Sequence, residues 1–125
     1  MKKTRPSPRE CLGRNLKFIK DLAGLSDVQV SQRAGNDAVG KVKVSPKTVN
    51  NMYNKRTDVQ LSKLDAVAEV FGVSSWHLLM PDISKEYENL ADFDRLYDCW
   101  AAATEEGRKH ILMVAEREAK YNDEK

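Results

Sequence analysis

The chain has few of the residues that mark enzymes, metal sites or secreted scaffolds. Its 125 residues include two cysteines and two histidines. Cys11 and Cys99 lie far apart with no Cys or His cluster near either, so neither a zinc site nor a disulfide framework is expected. Both read as small core residues, with a disulfide as the lesser alternative. His77 follows Trp76 in a short apolar stretch and reads as structural, and His110 falls on the polar side of the last helix. There is no Gly-rich phosphate loop, nucleophile elbow or paired-His motif, so neither catalysis nor a cofactor or metal is expected. No apolar run approaches the roughly 18 residues needed to cross a bilayer. The basic start, Met1-Lys2-Lys3-Thr4-Arg5-Pro6-Ser7-Pro8, leads into no apolar signal segment, which favours a cytoplasmic protein. Internal repeats and low-complexity segments are also missing.

What is present is charge, unevenly divided. The net charge is +2, but residues 1–80 carry +7 and residues 81–125 carry −5. A basic front half suits a polyanionic partner, although an ordinary solvated surface would look the same by charge alone.

Apolar spacing predicts an all-α fold. Leu12, Leu16, Ile19 and Leu22, flanked by Cys11 and Phe18, recur at helical intervals from Arg9 to Ala23-Gly24. Ser26 is placed to cap a second helix carrying Val28, Val30 and Ala34 and closed by Gly35. Residues 36–44 break the pattern, and Val42 and Val44 suggest some extended character. Ser45-Pro46 restarts a helix, with Pro where its missing N–H costs nothing, and that helix runs to about Asn54. After a polar link at 55–58, Leu61, Leu64, Val67, Ala68 and Phe71 form a fourth helix stopped by Gly72. Ser74 or Ser75 caps a fifth with Trp76, Leu78 and Leu79, ended by Pro81. Short helices with short links fit a compact helical domain over 1–81.

Residues 82–89 read as a polar linker. Beyond it, Leu90, Phe93, Leu96, Tyr97 and Trp100 make one stripe, and Thr104 can cap a last helix with Ile111, Leu112, Val114 and Ala115, frayed from residue 120. A helical pair over 90–125 must bury Leu90, Phe93, Leu96, Trp100, Ile111 and Leu112 against its own domain or against a second copy, and dimerisation is the favoured reading.

The third helix carries the functional signal. Val49 and Met52 can pack inward while Lys47, Asn50, Asn51 and Asn54 share the opposite face at i, i+3, i+4 and i+7. A merely solvated helix face would favour Glu, Lys and Ala over Asn, a weaker helix former. Asn can bond an adenine edge in a bidentate way, and Lys can reach guanine acceptors. The alternative is a plain exposed helix.

The run Gly24-Leu25-Ser26-Asp27-Val28-Gln29-Val30-Ser31-Gln32-Arg33-Ala34-Gly35, followed by Val44-Ser45-Pro46-Lys47-Thr48-Val49-Asn50-Asn51-Met52-Tyr53-Asn54, resembles the helix-turn-helix of the Cro/repressor (XRE-type) regulator family. Leu61 to Val73 and Trp76-His77-Leu78-Leu79 look like that family's fourth and fifth helices, extending the resemblance over residues 9–81. It implies a five-helix phage-repressor-like domain whose third helix reads the major groove, with Lys47, Asn50, Asn51 and Asn54 on bases. Gln32, Lys41, Lys43, Ser45, Lys55 and Arg56 are the candidates for phosphates.

Three features depart from the family pattern. Residues 36–43 form an insertion, which reads equally well as a solvated loop or as a phosphate contact through Lys41 and Lys43. Asp27 stands where relatives often place a phosphate-gripping Gln, a role Gln29 or Gln32 could take over. Lys20 matches the basic partner of a common ion pair, but Tyr53 replaces its acid, so that pair is expected to be absent and Tyr53 to pack with its hydroxyl exposed. Too few residues follow the domain for a self-cleaving module of the kind some of these repressors carry.

The sequence therefore points to a DNA-binding transcriptional regulator, favoured as a phage-type repressor on a palindromic operator. The alternative is an antitoxin-like protein that binds a partner protein through its C-terminal helices and autoregulates through its helix-turn-helix.

Overall fold

The computed structural model describes residues 6–35, 43–54 and 58–123. Every regular element among them is helical, in the order α1 (Pro8–Ala23), α2 (Asp27–Gly35), α3 (Pro46–Asn54), α4 (Leu61–Val70), α5 (Ser75–Leu78), α6 (Ile83–Glu86), a 3₁₀ turn (Tyr87–Asn89), α7 (Leu90–Ala102) and α8 (Glu105–Asp123). They divide into two compact units, residues 1–87 and 88–125.

The helix boundaries follow from local chemistry. Ser7 caps α1 by accepting from the Glu10 amide, and Pro8 occupies the first turn. Gly24 and Gly72 end α1 and α4 at φ +68° each, a left-handed conformation that L side chains rarely adopt. Ser26 and Gln29 make a reciprocal capping box on α2, the Ser26 hydroxyl accepting from the Gln29 amide and the Gln29 carbonyl from the Ser26 amide. At α5 the His77 ring takes that role: its Nδ1 accepts from the Ser74 amide at 2.9 Å while the ring stacks on Trp76. His77 is therefore structural, as its sequence position suggested.

In the first unit α1 packs against α3, α5 and α6, while α2 packs against α3 and α4. Leu12, Leu16 and Ile19 of α1, Val30 of α2, Val49 and Met52 of α3, and Leu64 and Val67 of α4 are all buried and make up the apolar core. Burying each such side chain contributes roughly 1.5–3 kcal/mol. The polar side chain of Asn15 is enclosed with them. Asn15 donates through Nδ2 to the carbonyls of Leu78 (2.9 Å) and Met80 (2.6 Å), and its Oδ1 accepts from the Ile83 amide (3.0 Å).

That side chain explains why the segment expected as a polar linker is structured. Residues 83–86 form α6 and 87–89 a 3₁₀ turn; Ile83 is fully buried, and Tyr87 meets Phe18 edge-on at 6.1 Å. Local spacing could not show this, because Ile83 is the only buried residue of that helix and its hydrogen-bond partner lies on α1.

Other expectations also change. Leu22 and Val28 are exposed rather than buried. At about 100° per residue Leu22 is turned roughly 80° from Leu12, and Val28 lies across its helix from Val30. Cys11 is buried as expected, but Cys99 is exposed, and both are free thiols. α8 continues to Asp123 instead of fraying from residue 120.

The second unit is a helical hairpin. Thr104 caps α8 by accepting from the Gly107 amide at 3.0 Å. Arg108 reaches back across the turn to the carbonyls of Trp100 (2.9 Å) and Ala101 (3.2 Å), with its guanidinium over the Trp100 ring. Leu90 is buried and Ile111 is half-buried, whereas Phe93, Leu96, Tyr97, Trp100, Leu112 and Met113 are exposed.

Candidate nucleic-acid interface

The nine-residue α3 is too short to persist alone, since isolated helices below about 12 residues are marginal in water. Both ends are therefore held. The Ser45 hydroxyl accepts from the Thr48 amide at 3.1 Å, and Pro46 opens the helix. At the other end the Arg9 guanidinium donates to the carbonyls of Asn51 (3.2 Å) and Met52 (3.4 Å), placing positive charge at the helix's negative pole. Val49 and Met52 are buried, which fixes the helix's rotation and turns Lys47 and Asn54 outward.

Asn50 and Asn51 are half-buried. The Asn50 amide belongs to a closed network, with Nδ2 donating to Tyr53 Oη (2.8 Å) and to Asp27 Oδ2 (3.2 Å). The Tyr53 hydroxyl donates to the same Oδ2 at 2.8 Å. Asp27 Oδ1 accepts no well-aligned hydrogen bond but faces Lys20 Nζ at 3.3 Å, and that ammonium also lies 5.0 Å from the centre of the Tyr53 ring. On the outer side Asn54 Nδ2 donates to Asn50 Oδ1 at 2.9 Å.

As expected, no ion pair joins Lys20 to the Tyr53 position of α3; Lys20 pairs with Asp27 on α2. One expectation is corrected here. The Tyr53 hydroxyl is engaged rather than exposed. Asp27 thus points toward the lysine instead of presenting an anion to solvent. Partial burial opposes its charge, but the bonds from Tyr53 and Asn50 and the Lys20 ammonium outweigh this and hold its carboxyl below the ordinary 3.8. The Tyr53 hydroxyl is pushed above 10.0, first by burial and then by the neighbouring carboxylate.

Gln32, Lys43 and Ser45 are exposed and line one groove together with Thr48 and Lys63. The Ser31 hydroxyl donates to the Val44 carbonyl and ties α2 to the segment entering α3. Lys63 was missed in the sequence because it belongs to α4, well away from the helix-turn-helix run. Lys41, Lys55 and Arg56 lie outside the described residues. The Gln29 side-chain carbonyl is committed to the capping box, and Gln32 is the glutamine of α2 that lines this groove. Among the described residues no group of three or more His, Cys, Asp or Glu could hold a metal, and no helix is long and apolar enough to cross a membrane.

No protein-family model matches the chain, and no curated protein matches it. Among solved structures, the clp gene regulator ClgR from Corynebacterium glutamicum has a similar fold, with a TM-score of 0.51 over 79% of this chain and 97% of that one. The two are 19% identical, so the likeness speaks for the fold.

Proposed function

We propose that this protein is a sequence-specific regulator of transcription that binds double-stranded DNA. We read it as a cytoplasmic homodimer on a palindromic operator, repressing in the manner of phage and prophage repressors by blocking polymerase. The observation that carries the reading is α3: capped at both ends, fixed in rotation by Val49 and Met52, and presenting Lys47, Asn51 and Asn54 on its outer side. Such a helix fits the major groove, where lysine and asparagine meet guanine and adenine acceptors. Gln32, Lys43 and Ser45, with Lys63 beside them, suit the flanking phosphates, and Lys41, Lys55 and Arg56 belong to the same proposed footprint. The fold shared with a protein described as a gene regulator agrees with this reading.

Selection of bound duplexes from a random DNA pool tests it. Enrichment of a palindrome with half-sites about one helical turn apart is expected. Binding that depends on salt but enriches no sequence would overturn it. The exposed apolar side chains of α7 and α8 also keep the antitoxin-like reading open, in which that surface takes an unrelated protein. Co-purification of one stoichiometric small protein with the natively expressed chain would favour it, and a homodimer alone would count against it.

A further inference from the structure

Resting on the DNA-reading function above, we propose that Asn50 is a positioning residue: Asp27 and Tyr53 hold it, and it orients Asn54 toward the base that Asn54 reads.

An asparagine that reads an adenine edge must offer one N–H and its carbonyl together. Asn50 is half-buried, its Nδ2 is shared between Tyr53 Oη and Asp27 Oδ2, and its Oδ1 accepts from Asn54. Swinging it onto a base would break a triangle in which Tyr53 also bonds Asp27. Asn54 is complementary in this respect. One of its N–H groups goes to Asn50 Oδ1, and the other N–H and the carbonyl remain on an exposed side chain, the set an adenine edge needs. The i, i+4 spacing of the two residues brings their amides together on one side of α3.

The network also spans three helices. Lys20 on α1 pairs with Asp27 at the start of α2, and Asp27 grips Tyr53 and Asn50 on α3. Lys20 and Asp27 are 16% and 22% exposed, so the pair is partly shielded from salt. The position that resembles a phosphate grip is thus turned inward, where it sets the orientation of the reading face.

The test compares base preference position by position at the selected site, using the full chain with Asn50→Ala, Asn54→Ala, Tyr53→Phe and the Asn50→Ala/Asn54→Ala double variant. Thermal unfolding confirms that each is folded, and Asp27→Asn replaces Tyr53→Phe if the latter is not. The expected result is that all relax discrimination at the same base pair by about tenfold. The double variant should be no worse than Asn54→Ala alone, and the salt slope unchanged, because no phosphate contact is lost. A purely structural network would lower affinity for all sequences without altering preference at any one position, and that outcome overturns the proposal. So does relaxation at two different base pairs with additive losses, which would make Asn50 a reader in its own right. If the wild-type chain prefers no sequence, the functional reading fails instead. Exchange of the Asn50 side-chain amide protons then judges the network alone: slower exchange in wild type than in Tyr53→Phe supports it, and equal rates refute it.

Discussion

At Asn15 three backbone groups from two later segments depend on one side chain in the apolar core. Replacing it with leucine keeps the bulk but leaves the Leu78 and Met80 carbonyls and the Ile83 amide without their partner. An unsatisfied buried group costs about 1–3 kcal/mol, so Asn15→Leu should lose roughly 3 kcal/mol or more in urea unfolding. A loss under about 1 kcal/mol would mean that water replaces all three bonds. Asp27 makes a different prediction, in pH. Its folded carboxyl titrates below 3.8, so the ionised form stabilises the fold above the unfolded pKa, and that stability disappears as pH falls through the folded value. Between about pH 5 and pH 2 the wild type should therefore lose more stability than Asp27→Asn. Parallel curves would show that the Lys20–Asp27–Tyr53 contacts contribute nothing net.

α3 shows how an element can be legible in sequence while its surroundings are not. Ser45-Pro46 marks its start and the Val49/Met52 spacing its inner side, because capping and periodicity are local signals. Arg9, which caps its far end, and Asp27, which anchors Asn50, lie tens of residues away, and no spacing rule joins them to α3. The same reason hid α6, whose buried side chain is Ile83 alone. The sequence pattern therefore located α3 and its buried side but could not distinguish a held asparagine from an outward one. The local cap gives a measurable consequence: Ser45→Ala should cost about 1 kcal/mol of stability, because the Thr48 amide loses its acceptor. The segment before the cap tests the electrostatic part. Lys41→Ala with Lys43→Ala should weaken binding to all DNA and lower the slope of log K against log salt by about two. An unchanged slope would return residues 36–43 to a solvated loop.

At the scale of the whole molecule, the second unit leaves more apolar surface than a two-helix hairpin can enclose. Leu96, Tyr97 and Met113 are 55%, 62% and 61% exposed, and Phe93, Trp100 and Leu112 are exposed with them. Each large side chain moved from water into an interface stabilises association by roughly 1.5–3 kcal/mol before the cost of ordering. A two-fold axis would present every one of these residues twice, so a modest face becomes a closed core. It would also supply the second recognition helix, which a palindromic site requires. Sedimentation of the full chain should accordingly give a dimer at concentrations on the order of 10 µM, and Leu96→Glu with Leu112→Glu should give a folded monomer. A charge placed in a self-complementary core meets its own copy across the axis and loses its water, so two such changes suffice. The monomeric variant should keep its salt-dependent affinity for random DNA and lose most of its preference for the full palindrome, because one α3 then reads a single half-site. A wild-type chain that sediments as a monomer would end the dimer reading. A double variant that stays dimeric would move the interface to the first unit, where the half-exposed Trp76, next to Leu79, is the next candidate.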